Sequence, residues 1–445
     1  MTPTHPSLAA FIDHELLYQP HLFTVPLDHS HPSGESISVY AREVIKLENQ
    51  DKDLPWLVYF QGGPGFPSPR PDARSGWLKA ALNQYRVLLL DQRGTGLSSP
   101  LTHQTLASMA PEAQYQYAQH FRADSIVKDA EFIRQKLDIE QWATLGQSFG
   151  GFCTLTYLSL FPESLLRCYV TGGIPPLNAH ADEVYHATYQ RVKQKNQALF
   201  NQFPQAQTLC QRIADYLLEN PVNLPNGQAF TVEQFQMIGI NLGRGDAALT
   251  MYYLLENAFI EVNGQPTLSY AFLNTMLAEQ AYQTNPIYAF LHEAIYCQPF
   301  AQNEQGNTAS AWSAHRVREH YPEFNYQPGQ PFLFTGEMVY PWMFDQMQCL
   351  KPLKEMAEKL AHKADWTPLY DTDVLSRNTV PLACATYVDD MYVEFDYSRQ
   401  TLANIPNSKA WMTNEYEHNG LGIAGELIFN RLDDMLKQIE NRPKS

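Results

Sequence analysis

No stretch of this chain is apolar for long enough to cross a membrane; the longest apolar runs, such as Val87 to Leu90, are the size of strands. Basic residues are also scarce, with 31 Lys and Arg against 47 Asp and Glu. The resulting formal charge of -16 argues against partners that are nucleic acids or anionic membrane surfaces, because both would repel the protein. Residues 1–20 hold no Lys or Arg and no greasy centre, so they lack the look of a secretory signal. The six cysteines stand far apart, with no CxxC pair and no histidine at metal-ligand spacing. This favours neither a disulfide nor a metal site and reads as buried or free thiols in a reducing cytoplasm. Internal repeats and low-complexity tracts are missing as well. What remains is a 445-residue chain, 44% hydrophobic and 18% charged, able to bury a sizeable core.

Short apolar runs at Ile37 to Ile45, Trp56 to Phe60, Arg86 to Leu90, Trp142 to Gly146 and Cys168 to Thr171 read as strands, with helical spacing between several of them, notably Ile126 to Leu137. Strands alternating with helices predict a mostly parallel sheet covered on both faces, whose active site lies at the carboxyl ends of the strands. From about 176 to 365 the texture turns to Gln, Asn, Tyr and Leu at helical spacing, as in Val184 to Phe200 and Met251 to Ile260. This predicts a large helical cap inserted between a first core part (1–175) and a second (366–445). Strand-like sequence returns at Pro381 to Val388 and Lys409 to Thr413. A last amphipathic helix follows, with Leu427, Ile428, Leu432, Met435, Leu436 and Ile439 assigned to one face.

Thr144-Leu145-Gly146-Gln147-Ser148-Phe149-Gly150-Gly151 puts a serine between glycines where a strand gives way to a helix, the tight turn that lifts a hydroxyl toward an incoming carbonyl. A serine hydroxyl is a poor nucleophile near neutral pH, so acyl transfer needs a base, a group orienting that base, and donors for the oxyanion. Downstream of Ser148, Asp389 and Asp390 lie just past a strand, and His418 lies in Glu417-His418-Asn419-Gly420 before the last helix. The order serine, acid, histidine is the one this kind of sheet uses. Successive strand residues point to opposite faces, so one of the two aspartates is expected to meet the histidine. The oxyanion donors are expected to be the backbone N–H of Phe149 and a second N–H, at Gly63, from the loop Gln61-Gly62-Gly63-Pro64-Gly65. As a phosphate cradle that loop fails, since no GK[ST] follows. Asp91 and Arg93, in Leu90-Asp91-Gln92-Arg93-Gly94-Thr95-Gly96-Leu97-Ser98, are expected to brace the loops beneath the site.

Together GGPG, DQRGTGLSS, GQSFGG, the DDM segment and EHNG resemble the prolyl aminopeptidases (proline iminopeptidases) of the α/β-hydrolase superfamily over nearly the whole chain, in their longer bacterial form with an enlarged cap. The resemblance implies an α/β-hydrolase fold and a serine peptidase that releases N-terminal proline from short peptides without a metal or organic cofactor. It maps the family triad onto Ser148, Asp390 and His418, with Asp390 preferred because Met391 follows it directly. The family's HGGPG is here QGGPG, so its leading histidine is absent. Glu256, in a Glu-Asn pair, resembles the family's cap motif for gripping the substrate's free amino end, and Glu337 lies in a segment similar to the longer form. The aromatics Phe149, Tyr340 and Trp342 are expected to wall the proline ring. Two alternatives stay open at this level: a carboxylesterase of the same fold, and a catalytically silent binding protein on a hydrolase scaffold.

Overall fold

The computed structural model describes residues 9–70, 75–245 and 247–441. Part of the leader reading therefore falls on residues 1–8, outside them. The strands are β1 (Phe11–Asp13), β2 (Leu16–Pro26), β3 (Ser36–Lys46), β4 (Trp56–Phe60), β5 (Arg86–Asp91), β6 (Trp142–Gln147), β7 (Leu165–Thr171), β8 (Phe259–Val262), β9 (Gln265–Leu268), β10 (Leu382–Tyr387) and β11 (Ser408–Thr413). Nine of them form one sheet in the order β1-β2-β3-β5-β4-β6-β7-β10-β11. The pairs from β1 to β5 are antiparallel. From β5 through β4, β6, β7 and β10 to β11 all are parallel.

The parallel strands alternate between two cores. In β4, Val58 and Phe60 pack on the face covered by helices Ala123–Lys136 and Phe149–Leu160. Leu57 and Tyr59 pack on the opposite face, under helices Gly76–Ala81 and Gly420–Glu440. Burial on both faces explains why these strands read as continuous apolar runs. The last helix buries Ile428, Leu432, Met435, Leu436 and Ile439 as expected, whereas Leu427 is turned to solvent and does not belong to that face.

Between β7 and β10 the chain is mainly helical, with long helices at Ala181–Gln202 and Pro204–Glu219 and the two-stranded hairpin β8-β9. The helix starting at Ala247 stops at Glu256, and the residues after it form β8 rather than extending the helix to Ile260. Among the described residues no helix is long and apolar enough to cross a membrane.

Candidate active site

Ser148 is the single residue between β6 and helix Phe149–Leu160, and its backbone sits at φ 55°, ψ -125°. A side chain at positive φ stores strain of about 1–3 kcal/mol, so the surroundings must hold it there. They do: Ser148 N–H donates to the Thr171 carbonyl at 3.0 Å, and Gly151 N–H donates to the Ser148 carbonyl at 2.7 Å. The turn closes only because its neighbours lack side chains. A Cβ on Gly146 would fall 2.3 Å from the Gly150 oxygen, and one on Gly150 would fall 2.0 Å from the Phe60 oxygen.

The carboxyl ends of four parallel strands converge here. Past β11, His418 places Nε2 at 2.9 Å from Ser148 Oγ. Past β10, Asp390 places Oδ2 at 2.8 Å from His418 Nδ1. Its other oxygen accepts from the N–H groups of Tyr392 at 2.8 Å and Val393 at 3.1 Å. Asp390 is fully buried and Asp389 is exposed, so the turn that follows β10 decides between the two carboxylates. A carboxylate only accepts, so Nδ1 carries the proton and the Nε2 lone pair faces the serine hydroxyl. Burial works against a charged imidazole, but the charge and hydrogen bond of Asp390 outweigh it. With Glu337 adding to that pull and Arg244 opposing it, the net effect raises the His418 pKa above its ordinary value.

Two supports of the histidine lie outside the triad. The Tyr392 ring lies 4.4 Å from the imidazole, and its hydroxyl is tied to the Ile240 carbonyl. Gln147, the residue before the serine, donates from Nε2 to the His418 carbonyl at 3.0 Å and accepts from the Thr171 hydroxyl, fastening the histidine loop to β7. Gln147→Leu is expected to lower kcat about fivefold to tenfold, the worth of one hydrogen bond, with KM little changed. Steady-state kinetics on prolyl-β-naphthylamide check it, and a change confined to KM would contradict the positioning role.

Past β4, Gly62 runs against the nucleophile, where a Cβ would sit 2.8 Å from Ser148 Cβ, and Gly63 after it holds φ at 125°. Gln61, in the place of the family histidine, accepts from the Tyr59 hydroxyl at 2.8 Å, and its carbonyl accepts from Gln92 at 3.0 Å. Asp91 accepts from the N–H groups of Ser68 and Leu97 and from Arg70. Buried Arg93 pairs with Asp129 and donates to the carbonyls of Leu27 and His120. Both act as loop braces.

Above the serine opens a cavity of about 360 Å³, walled by Phe66, Met237, Ile240, Tyr282, Tyr288 and Tyr392, with Gly62, Gly63, Ser148 and His418 at its base and Glu337 in its wall. Tyr282 stacks on Tyr288 at 4.7 Å. The Tyr288 hydroxyl, held protonated by burial, donates to Glu337 Oε1. Glu337 Oε2 lies 3.7 Å from Nε2 of buried His292, and the Glu337 side chain is 12% exposed. Burial keeps His292 below its ordinary pKa, so a neutral ring faces the carboxylate near pH 7.

The remaining expectations land elsewhere. Glu256 is exposed and does not line the cavity, because its helix turns Ala247, Met251 and Leu255 inward. Phe149, Tyr340 and Trp342 do not line it either. Phe149 packs in the core against Phe152, the buried Tyr340 hydroxyl bonds that of Tyr189 at 3.0 Å, and Trp342 stacks on Tyr340. The walls that do form are assembled from segments distant in sequence, with no local pattern to betray them.

Comparison with known proteins agrees with this architecture. The alpha/beta hydrolase fold family matches residues 55–284. The chain is 55% identical over 416 residues to a proline iminopeptidase of Aeromonas sobria, a span of 93% of this chain and 95% of that protein. It is 34% identical over 409 residues to proline iminopeptidase aneH of Aspergillus aculeatus, covering 90% of this chain and 89% of the relative. With sequence likeness running nearly end to end beside a match to the fold family, the chain belongs to the proline iminopeptidases of the alpha/beta hydrolase fold family.

Proposed function

We propose that this protein is a serine aminopeptidase that releases N-terminal proline from short peptides through an acyl-enzyme. The observation that carries the reading is the Ser148–His418–Asp390 relay, at 2.9 and 2.8 Å, opening onto an aromatic-walled cavity with Glu337 in its wall. Ser148 Oγ attacks the prolyl carbonyl while His418 Nε2 takes the hydroxyl proton, and Asp390 stabilises the imidazolium. The oxyanion is received by the N–H groups of Phe149 and Gly63. The former opens a helix, where backbone donors lack intrahelical partners. Collapse of the tetrahedral intermediate expels the amine, which takes the proton from His418. Water, deprotonated by the same nitrogen, then frees proline.

The aminopeptidase character comes from Glu337. A protonated imino nitrogen buried among tyrosines needs an anion, and Glu337 keeps Oε2 for it while Tyr288 occupies Oε1. Prolyl-β-naphthylamide should be cleaved far faster than its N-acetyl form, and Glu337→Gln should raise KM for the free amine about tenfold to a hundredfold. Glu256→Gln, on the solvent side, should keep wild-type kinetics. Equal rates for free and blocked substrates, measured as kcat/KM, would sink the amine-binding role. Six free thiols support a reducing, cytoplasmic setting.

A further inference from the structure

We propose that Arg244 selects substrates whose leaving residue carries a carboxylate, so that the enzyme favours dipeptides with a free C-terminus. The inference rests on the aminopeptidase reading and extends it from the proline to the group that departs.

Arg244 lines the rim of the cavity and is exposed there, whereas Glu337 sits deeper in its wall. Its position is tied to the general base from both sides. The 3₁₀ helix before it, Met237–Gly243, packs Gly243 against the Tyr392 ring and receives the Tyr392 hydroxyl at Ile240, and that ring contacts His418. After it, Gly245 N–H donates to the side chain of Asn419, the neighbour of His418, at 3.3 Å. The base that hands its proton to the departing amine must lie on the leaving-group side of the scissile bond. A cation anchored to its loop therefore lies on that side too. Of the acids nearby, Glu417 pairs through one oxygen with Lys195 at 2.7 Å, and Glu279 on the same rim accepts from Asn241 at 2.8 Å. An acidic wall for the imino nitrogen and a guanidinium past the serine match the two charges of a prolyl dipeptide. A carboxylate several residues further on would overshoot the rim, so the preference should fade with peptide length.

The test compares kcat/KM for Pro-Gly and Pro-Gly-amide, each normalised to prolyl-β-naphthylamide in the same enzyme. Wild type is expected to favour the free acid roughly tenfold, the low end for a hydrogen bond to a charged group because the site is exposed. High salt should erode that preference, and Arg244→Gln should bring the ratio near one. Pro-Asp-amide against Pro-Asn-amide separates the two sources of the carboxylate: a preference in that pair that Arg244→Gln abolishes also supports the role of Arg244, with the charge on the side chain. Ratios near one in both wild-type pairs, or ratios untouched by Arg244→Gln, overturn the proposal. A wild-type enzyme unable to cleave prolyl-β-naphthylamide at all would count against the aminopeptidase reading instead.

Discussion

Ser148→Ala is expected to lower kcat on prolyl-β-naphthylamide by about six orders of magnitude, a loss of about 8 kcal/mol of transition-state stabilisation, with the fold intact. The two halves of that expectation come from different parts of the structure. The catalytic half follows because Oγ is the atom facing His418 Nε2 at the end of β6. The structural half follows from the turn. Alanine keeps the Cβ that the φ of 55° already tolerates, and the bonds that close the elbow run through the backbone of residues 148, 151 and 171. The native state gives up one hydrogen bond, worth about 1 kcal/mol. Thermal melting should therefore move by a few degrees at most while turnover disappears. Labelling by a fluorophosphonate probe should vanish with it, which also separates an enzyme from a silent binder on the same scaffold. A variant within tenfold of wild-type turnover would remove Ser148 from the reaction.

How far the sequence alone reaches is shown by which elements it places. The parallel strands β4, β5, β6 and β10 were legible to within a residue or two because burial on both faces makes them short, largely apolar runs, and the edge strand β11, only half-buried, was placed as closely. β2 was not, because Gln19, Pro20 and His21 interrupt it and it lies near the antiparallel edge, where partial exposure permits polar residues. The run from Met251 to Ile260 looks helical by composition, yet Asn263 and Gly264, both at positive φ, turn β8 back onto β9, an Asn-Gly hairpin signal that was available in the chain. In the site, Ser148 and His418 carry local signatures. Between Asp389 and Asp390 the residues alone left a choice that the family resemblance resolved toward Asp390, the one buried against His418 past β10. The cavity wall required the cap to be folded, since Phe66, Met237, Tyr282 and Glu337 share a surface only in three dimensions.

Asp390→Asn should lower kcat by about 10⁴ and move the pH dependence in a stated direction. In the wild type Oδ2 of Asp390 fixes the proton on His418 Nδ1, leaving Nε2 free to accept from Ser148. An asparagine presents an amide N–H on that side and favours the opposite tautomer, with the proton on Nε2, where it cannot serve as base. The fold survives because the Asn carbonyl still accepts from the Tyr392 and Val393 N–H groups. The pH effect has a separate origin. The Asp390 charge favours the imidazolium and, against the opposing effect of burial, sets the His418 pKa above its ordinary value. The reactive form is the neutral ring, so wild-type kcat/KM rises with pH through a limb displaced upward from the ordinary histidine value. Removing the charge leaves burial and the Arg244 field to disfavour the imidazolium, and the residual activity of the variant should rise along a limb displaced to lower pH. Glu337 also pulls the imidazole upward, so Glu337→Gln should displace the limb in the same direction by less. Profiles of kcat/KM against pH for the three enzymes measure both shifts. A limb that stays in place when Asp390 loses its charge would show that the ionisation governing activity belongs to some group other than His418.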